Sequence, residues 1–106
     1  MRTMKFRAWD KHLKMMRFFE IHEVHGESIP KDWELMQFTG YQNRQGRDIY
    51  FGDILLVGEK ACEVVWDDKK GQIQCLAKDG QNMGIAGITS YGYLRGNIYE
   101  NSELLK

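Results

Sequence analysis

A mainly β fold follows from three features of this sequence. Short runs alternate apolar and polar residues, as in KFRAWD and ACEVVW. Eleven glycines fall mostly between such runs, where turns belong. The apolar run Ile54-Leu55-Leu56-Val57 is strongly β in preference and follows directly on Gly52-Asp53.

Taken in order, KFRAWD places Phe6 and Ala8 on one side and Lys5, Arg7 and Trp9 on the other. MMRFFEI sets Met16 and Phe18 against Met15, Arg17, Phe19 and Ile21. The polar stretch Asp10–Lys14 separates the two runs, which predicts a hairpin. Pairing Trp9 with Met15 puts Ala8 opposite Met16, Phe6 opposite Phe18 and Arg7 opposite Arg17. Opposed arginines repel, so the outer face is expected to be wet, counter-charged or bound to something. Residues 22–33 read as a loop. A third strand is expected over Glu34–Thr39, with turns at Thr39-Gly40 and Asn43–Gly46. Ile49 and Phe51 then share one side of a strand, with Tyr50 on the other.

The glycines Gly40, Gly46 and Gly52 fit no phosphate-loop spacing, and a β-favouring run follows where a phosphate cradle needs a helix. Gly52-Asp53 is therefore read as a bend into a barrel strand, with the Asp53 carboxylate accepting a nearby backbone N–H. Ala61–Trp66 and Gly71–Ala77 form the next hairpin across the loop DDKK. Pairing Trp66 with Gly71 puts Cys62 opposite Cys75; a slip of two residues keeps both faces and pairs Val64 with Cys75. Residues 78–90 read as a glycine-spaced loop around Gly80, Gly84 and Gly87. A last strand over Gly92–Tyr99 leads to a short helix that Asn101 can cap, with Glu103 in its first turn.

The 106 residues fit one small domain. No stretch approaches the roughly 20 apolar residues of a membrane helix. No signal-peptide core follows Met1, so the expected location is cytoplasmic. Two cysteines are too few for a disulfide scaffold. The net charge is zero but unevenly spread. Residues 1–17 hold six bases and one acid, for +5, and the remainder holds nine bases and fourteen acids, for −5. Such poles attract each other within a chain or across two copies. A basic hairpin could instead meet nucleic acid.

The blocks KFRAWD, LMQFTG, GRDIYFGDIL, EVVWDD and GNIYENSELL, in that order from Lys5 to Leu105, resemble the YopX family of small proteins encoded in bacteriophages and prophages. The resemblance implies a mainly β fold: an SH3-like barrel with an N-terminal β-hairpin extension and a short C-terminal helix. Residues 1–40 would hold the hairpin and third strand, and residues 41–106 the barrel, in one compact unit. Members of the family are largely uncharacterised, so no catalytic or binding residue carries over. Relatives often have proline where this chain has Ser102.

Chemistry-bearing motifs are weak. His22 and His25, with His12, Cys62 and Cys75, lack the short ligand spacings of a zinc site. There is no serine elbow and no recognised Cys/His signature. Asp67-Asp68 sit in a hairpin loop, where aspartate is ordinary. No catalytic residue, metal or cofactor is expected. The expected function is that of a non-enzymatic phage or prophage accessory protein, a protein-interaction or self-assembling module. Its expected partners are a second copy of itself, or a host or phage protein. Nucleic acid is the second choice, through the basic and aromatic face Lys5, Arg7, Trp9, Arg17 and Phe19. Gly52 and Asp53 are assigned to the structural turn.

Overall fold

The computed structural model describes residues 5–20, 30–88 and 92–106. The strands are β1 (Lys5–Asp10), β2 (Met15–Glu20), β3 (Trp33–Gln42), β4 (Asp48–Tyr50), β5 (Asp53–Val57), β6 (Lys60–Asp67), β7 (Gln72–Ala77), β8 (Asn82–Gly84) and β9 (Tyr93–Asn97). One helical turn, α1 (Ile85–Ile88), precedes β9, and a 3₁₀ turn spans Ser102–Leu105. The strands form two antiparallel sheets. One has four strands in the order β2-β1-β3-β4, and the other has five in the order β8-β7-β6-β5-β9 and curls into a half-barrel.

Two hairpins close with the same loop, and that loop sets their register. Asp10 Oδ1 accepts the backbone N–H groups of His12 and Leu13, and the Asp10 carbonyl accepts Lys14 N–H at 2.7 Å. Asp67 repeats the device: its Oδ1 accepts from Lys69 and Lys70, and its carbonyl accepts Gly71 N–H at 2.8 Å. The fourth loop residue takes a positive φ in both, 54° at Lys14 and 62° at Gly71. The aspartate thus belongs to the ladder and pairs with the residue five further on: Asp10 with Met15, Asp67 with Gln72.

This loop corrects the expected register of the first hairpin and selects the alternative register of the second. In the first hairpin the pairing moves by one residue, so Arg7 lies opposite Phe18 rather than Arg17, Trp9 opposite Met16 and Phe6 opposite Phe19. A slip of one exchanges the faces of β2 relative to β1, and the opposed arginines disappear. In the second hairpin Gly71 is drawn into the loop. The register is the one two residues away: Val64 faces Cys75, Trp66 faces Ile73, and Cys62 faces Ala77 rather than Cys75.

The Gly52 bend forms as expected. Gly52 has φ 90°, and Asp53 opens β5, which pairs with β6 through Ile54 with Glu63 and Leu55 with Cys62. Asp53 Oδ2 accepts Tyr50 N–H at 2.8 Å. Gly52 N–H bonds to the Val64 carbonyl, and its own carbonyl accepts Ile98 N–H. A Cβ here would sit 3.1 Å from Met36 Sδ. Glycine is needed both for the positive φ and for the close approach of β3.

Three other expectations are corrected. β3 runs on through Thr39-Gly40 to Gln42, and Gly40 supplies a register shift inside the strand rather than its end. The expected division at residue 40 therefore falls within β3. The expected loop 78–90 contains β8, paired with β7, and α1, whose buried Ile85 and Ile88 join the core. The terminal helix is 3₁₀, and Asn101 does not cap it through its side chain. Asn101 Oδ1 instead accepts Asn97 N–H, while Asn97 Oδ1 holds the N–H groups of Tyr99 and Glu100.

The core lies inside the half-barrel and contains Ile49, Leu55, Cys62, Val64, Cys75, Ala77, Ile85 and Ile88. Both cysteines are free, buried and on one inner face. Their paired neighbours alternate in from two adjacent strands, so they sit diagonally rather than opposite.

Candidate functional site

The five residues of the expected basic and aromatic face do not share a face. Lys5, Arg7 and Trp9 lie on one side of β1, while Arg17 pairs with Ala8 and Phe19 with Phe6 on the other. The one-residue register correction is the cause, since it reverses β2. Each of the five also has a partner inside the molecule. Trp9 stacks on Tyr99 with ring centroids 6.0 Å apart, and Phe19 stacks on Phe6 at 6.5 Å. Arg17 lies over the Trp33 ring and donates to Asp10 Oδ2.

The charge poles meet within the chain. Lys5 pairs with Asp48 at 2.9 Å, Arg7 with Asp53 at 2.7 Å and Lys11 with Glu34 at 2.6 Å. Three N-terminal bases are thus matched by acids from the rest of the chain. Lys11–Glu34 is exposed and contributes little. Arg7–Asp53 differs, because the two side chains are 6% and 2% exposed.

That pair joins the two sheets, since Arg7 lies on β1 and Asp53 at the start of β5. Its guanidinium lies over Tyr50, 4.8 Å from the ring centroid, and Nη2 also reaches the Phe51 carbonyl. Nε points at Met36 Sδ. Burial pushes the Asp53 carboxyl above its ordinary value, and the Arg7 charge and Tyr50 N–H only partly offset this. Desolvation outweighs attraction, as is common for ion pairs cut off from water. The sequence signalled Asp53 as a turn acceptor but not as an ionic partner. Arg7 was legible as facing away from Ala8; that this side is the inter-sheet side was not.

Trp66 forms the most conspicuous surface. Alternation puts it on the same side of β6 as the buried Cys62 and Val64, but it lies at the end of β6, where the half-barrel opens. It is 53% exposed. Trp66 and Ile73, directly paired across β6 and β7, stand between two open hollows and line both. The first, about 460 Å³, is walled by Tyr41, Ile85 and Ala86. The second, about 440 Å³, is walled by Phe38, Thr39 and Phe51. Tyr41 is itself 37% exposed. An exposed tryptophan flanked by aromatic and aliphatic walls has the composition of an interface centre.

The weaker chemical motifs gain no support. Among the described residues no three of His, Cys, Asp and Glu are grouped to hold a metal ion. His12 sits exposed in the first hairpin loop, and His22 and His25 lie outside the described residues. Burial raises the Cys62 thiol pKa and pushes that of Cys75 up to about 12. Neither is a thiolate nucleophile at neutral pH. Among the described residues no helix is long and apolar enough to cross a membrane.

Two packed antiparallel sheets, locked by a buried ion pair and opening on an aromatic surface, define a small β-sheet protein. The particular family follows from the sequence: the YopX protein family model matches residues 20–106, and the chain belongs to that family. The block KFRAWD lies before the matched segment. Among curated proteins none matches this chain. The crystal structure of protein EF1440 from Enterococcus faecalis is similar, with a TM-score of 0.69 over 97% of this chain and 98% of that one. The two are 21% identical. At that identity the likeness establishes a shared fold alone.

Proposed function

We propose that this protein is a non-enzymatic interaction module, a phage or prophage accessory protein that assembles with a second copy of itself through the surface around Trp66. The observation that carries this reading is the exposure of Trp66 between two hollows, the first mainly apolar and the second of mixed polarity with Phe38 and Phe51 in its wall. Contiguous exposed apolar surface of this kind marks contact sites. The pairing of Lys5, Arg7 and Lys11 with internal acids favours a protein partner over nucleic acid, because those bases are already matched. The buried thiols, and an Asp67 carboxylate occupied by loop N–H groups, favour a role without catalysis. The order of the half-barrel also favours an SH3-like class: β5 to β8 form a meander and β9 returns beside β5.

Sedimentation across a dilution series tests the assembly. The chain should exceed its 12.5 kDa mass at high concentration. Trp66→Ser should shift it to the monomer while leaving the melting temperature nearly unchanged. Association through an apolar centre should persist as salt is raised. A wild-type mass of one chain at every concentration and low salt would overturn the reading. In the same buffers, salt-sensitive binding of a labelled single-stranded oligonucleotide would favour the nucleic-acid reading instead.

A further inference from the structure

The Arg7–Asp53 junction opens into a cleft of about 330 Å³ between the two sheets, away from Trp66. Three arginines line it: Arg7 from β1, Arg47 ahead of β4 and Arg95 on β9. We infer that this cleft binds a small organic anion, a carboxylate or phosphate that carries an apolar group.

The arginines are not equivalent. Arg7 is fixed by Asp53, Met36 Sδ and the Phe51 carbonyl through Nη2 and Nε. Its Nη1 has no partner among the described residues. Yet no buried side-chain nitrogen or oxygen among them lacks a hydrogen bond. Nη1 therefore reaches open space, and the cleft is the space that Arg7 lines. It offers two N–H donors on a guanidinium already held in place, so little orientational freedom is lost when an anion binds. Arg47 and Arg95 are exposed at the rim, and their guanidinium groups have neither hydrogen-bond nor ion-pair partners among the described residues. They form none of the ion pairs that occupy Lys5, Arg7, Lys11 and Arg17, although the Arg47 charge acts on Asp53 from a distance and lowers its pKa.

The two acids in the cleft are engaged. Asp53 is held by Arg7 and Tyr50 N–H, and Glu100 Oε1 accepts from Asn97 Nδ2. With three arginines against two carboxylates, the cleft keeps one positive charge in excess. Met16, Phe18 and Leu94 supply an apolar wall. A guanidinium held by Asp53, exposed cations at the rim and an apolar side suit an anion with a hydrophobic group. The volume admits a small molecule and no folded partner.

Amide and arginine side-chain NMR spectra of the full chain provide the test, with phenyl phosphate and benzoate as probes and benzyl alcohol as the neutral control. Both anions should shift Arg95, Gly96, Asn97 and Arg7 Nε saturably at millimolar concentrations. Tighter binding of phenyl phosphate would point to a phosphate ligand, and tighter binding of benzoate to a carboxylate. The double variant Arg47→Gln/Arg95→Gln changes only exposed side chains and should weaken both by about tenfold, roughly the loss of one charge-assisted contact. Equal shifts with benzyl alcohol would overturn the inference. So would undiminished binding to the double variant, or no saturable shift at the cleft. Because these probes do not involve Trp66, failure here is distinguishable from failure of self-assembly.

Discussion

Replacing Arg7 by Met removes the cation from the inter-sheet junction and keeps most of its apolar stem. The structure then leaves the Asp53 carboxylate almost sealed from water, with the Tyr50 N–H bond and only the more distant Arg47 charge to balance it. Breaking a buried pair on one side costs about 3–5 kcal/mol. A domain of this size has only about 5–15 kcal/mol in total. With a urea m-value of roughly 2 kcal/mol/M, the midpoint should fall by about 1.5–2.5 M. The loss should depend on pH with a definite sign. Burial already raises the Asp53 pKa above its ordinary value, and removing Arg7 raises it further. A carboxyl with a raised folded-state pKa favours the fold most below its unfolded pKa, and that contribution is lost as pH rises through the folded pKa. The variant should therefore be closest to wild type in acid and furthest from it at neutral pH. Adding Asp53→Asn, which keeps an oxygen for Tyr50 N–H, should restore part of the stability at neutral pH, giving a coupling of about 2 kcal/mol or more in the double-mutant cycle. The readout is urea unfolding of all four proteins at several pH values. A loss under about 1 kcal/mol, equal at every pH, would show that the pair is not buried as described.

Three further outcomes are expected. The shared hairpin loop predicts opposite effects at its two left-handed positions: Lys14→Gly should stabilise by about 0.5–1 kcal/mol and Gly71→Ala should cost about 1 kcal/mol, measured by thermal melting. Gly52→Ala should cost about 2 kcal/mol, because it combines a positive φ with a side chain pressed against Met36, and a neutral result would mean the bend is not built as described. Cys62 and Cys75 should resist a thiol reagent in native protein even at mildly alkaline pH and label quickly once unfolded, whereas rapid native labelling would contradict their burial.

The sequence alone determined most of the strands, though not β8 or the end of β3, and the Gly52 bend. Alternation placed Cys62, Val64 and Trp66 on one face of β6, and the β-favouring Ile54–Val57 after Gly52-Asp53 identified a bend rather than a phosphate loop. These are local matters, decided by side-chain period and by the backbone angles glycine permits. The family blocks were legible as well. Register was misread in the first hairpin and left between two choices in the second, although its signal was present: an aspartate that can accept the N–H groups two and three residues on, in DKHLK and again in DDKKG. Tertiary structure alone decided which side of β1 faces the second sheet, and hence that Arg7 meets Asp53 across 46 positions of chain rather than solvent. It also decided that Trp66, apolar and on an inner face, stands at the open end of the half-barrel. The physical reason is the same in both cases. Period fixes a face relative to its own strand, but burial depends on what packs against that face and on where the packing ends, and those contacts come from residues far away in sequence.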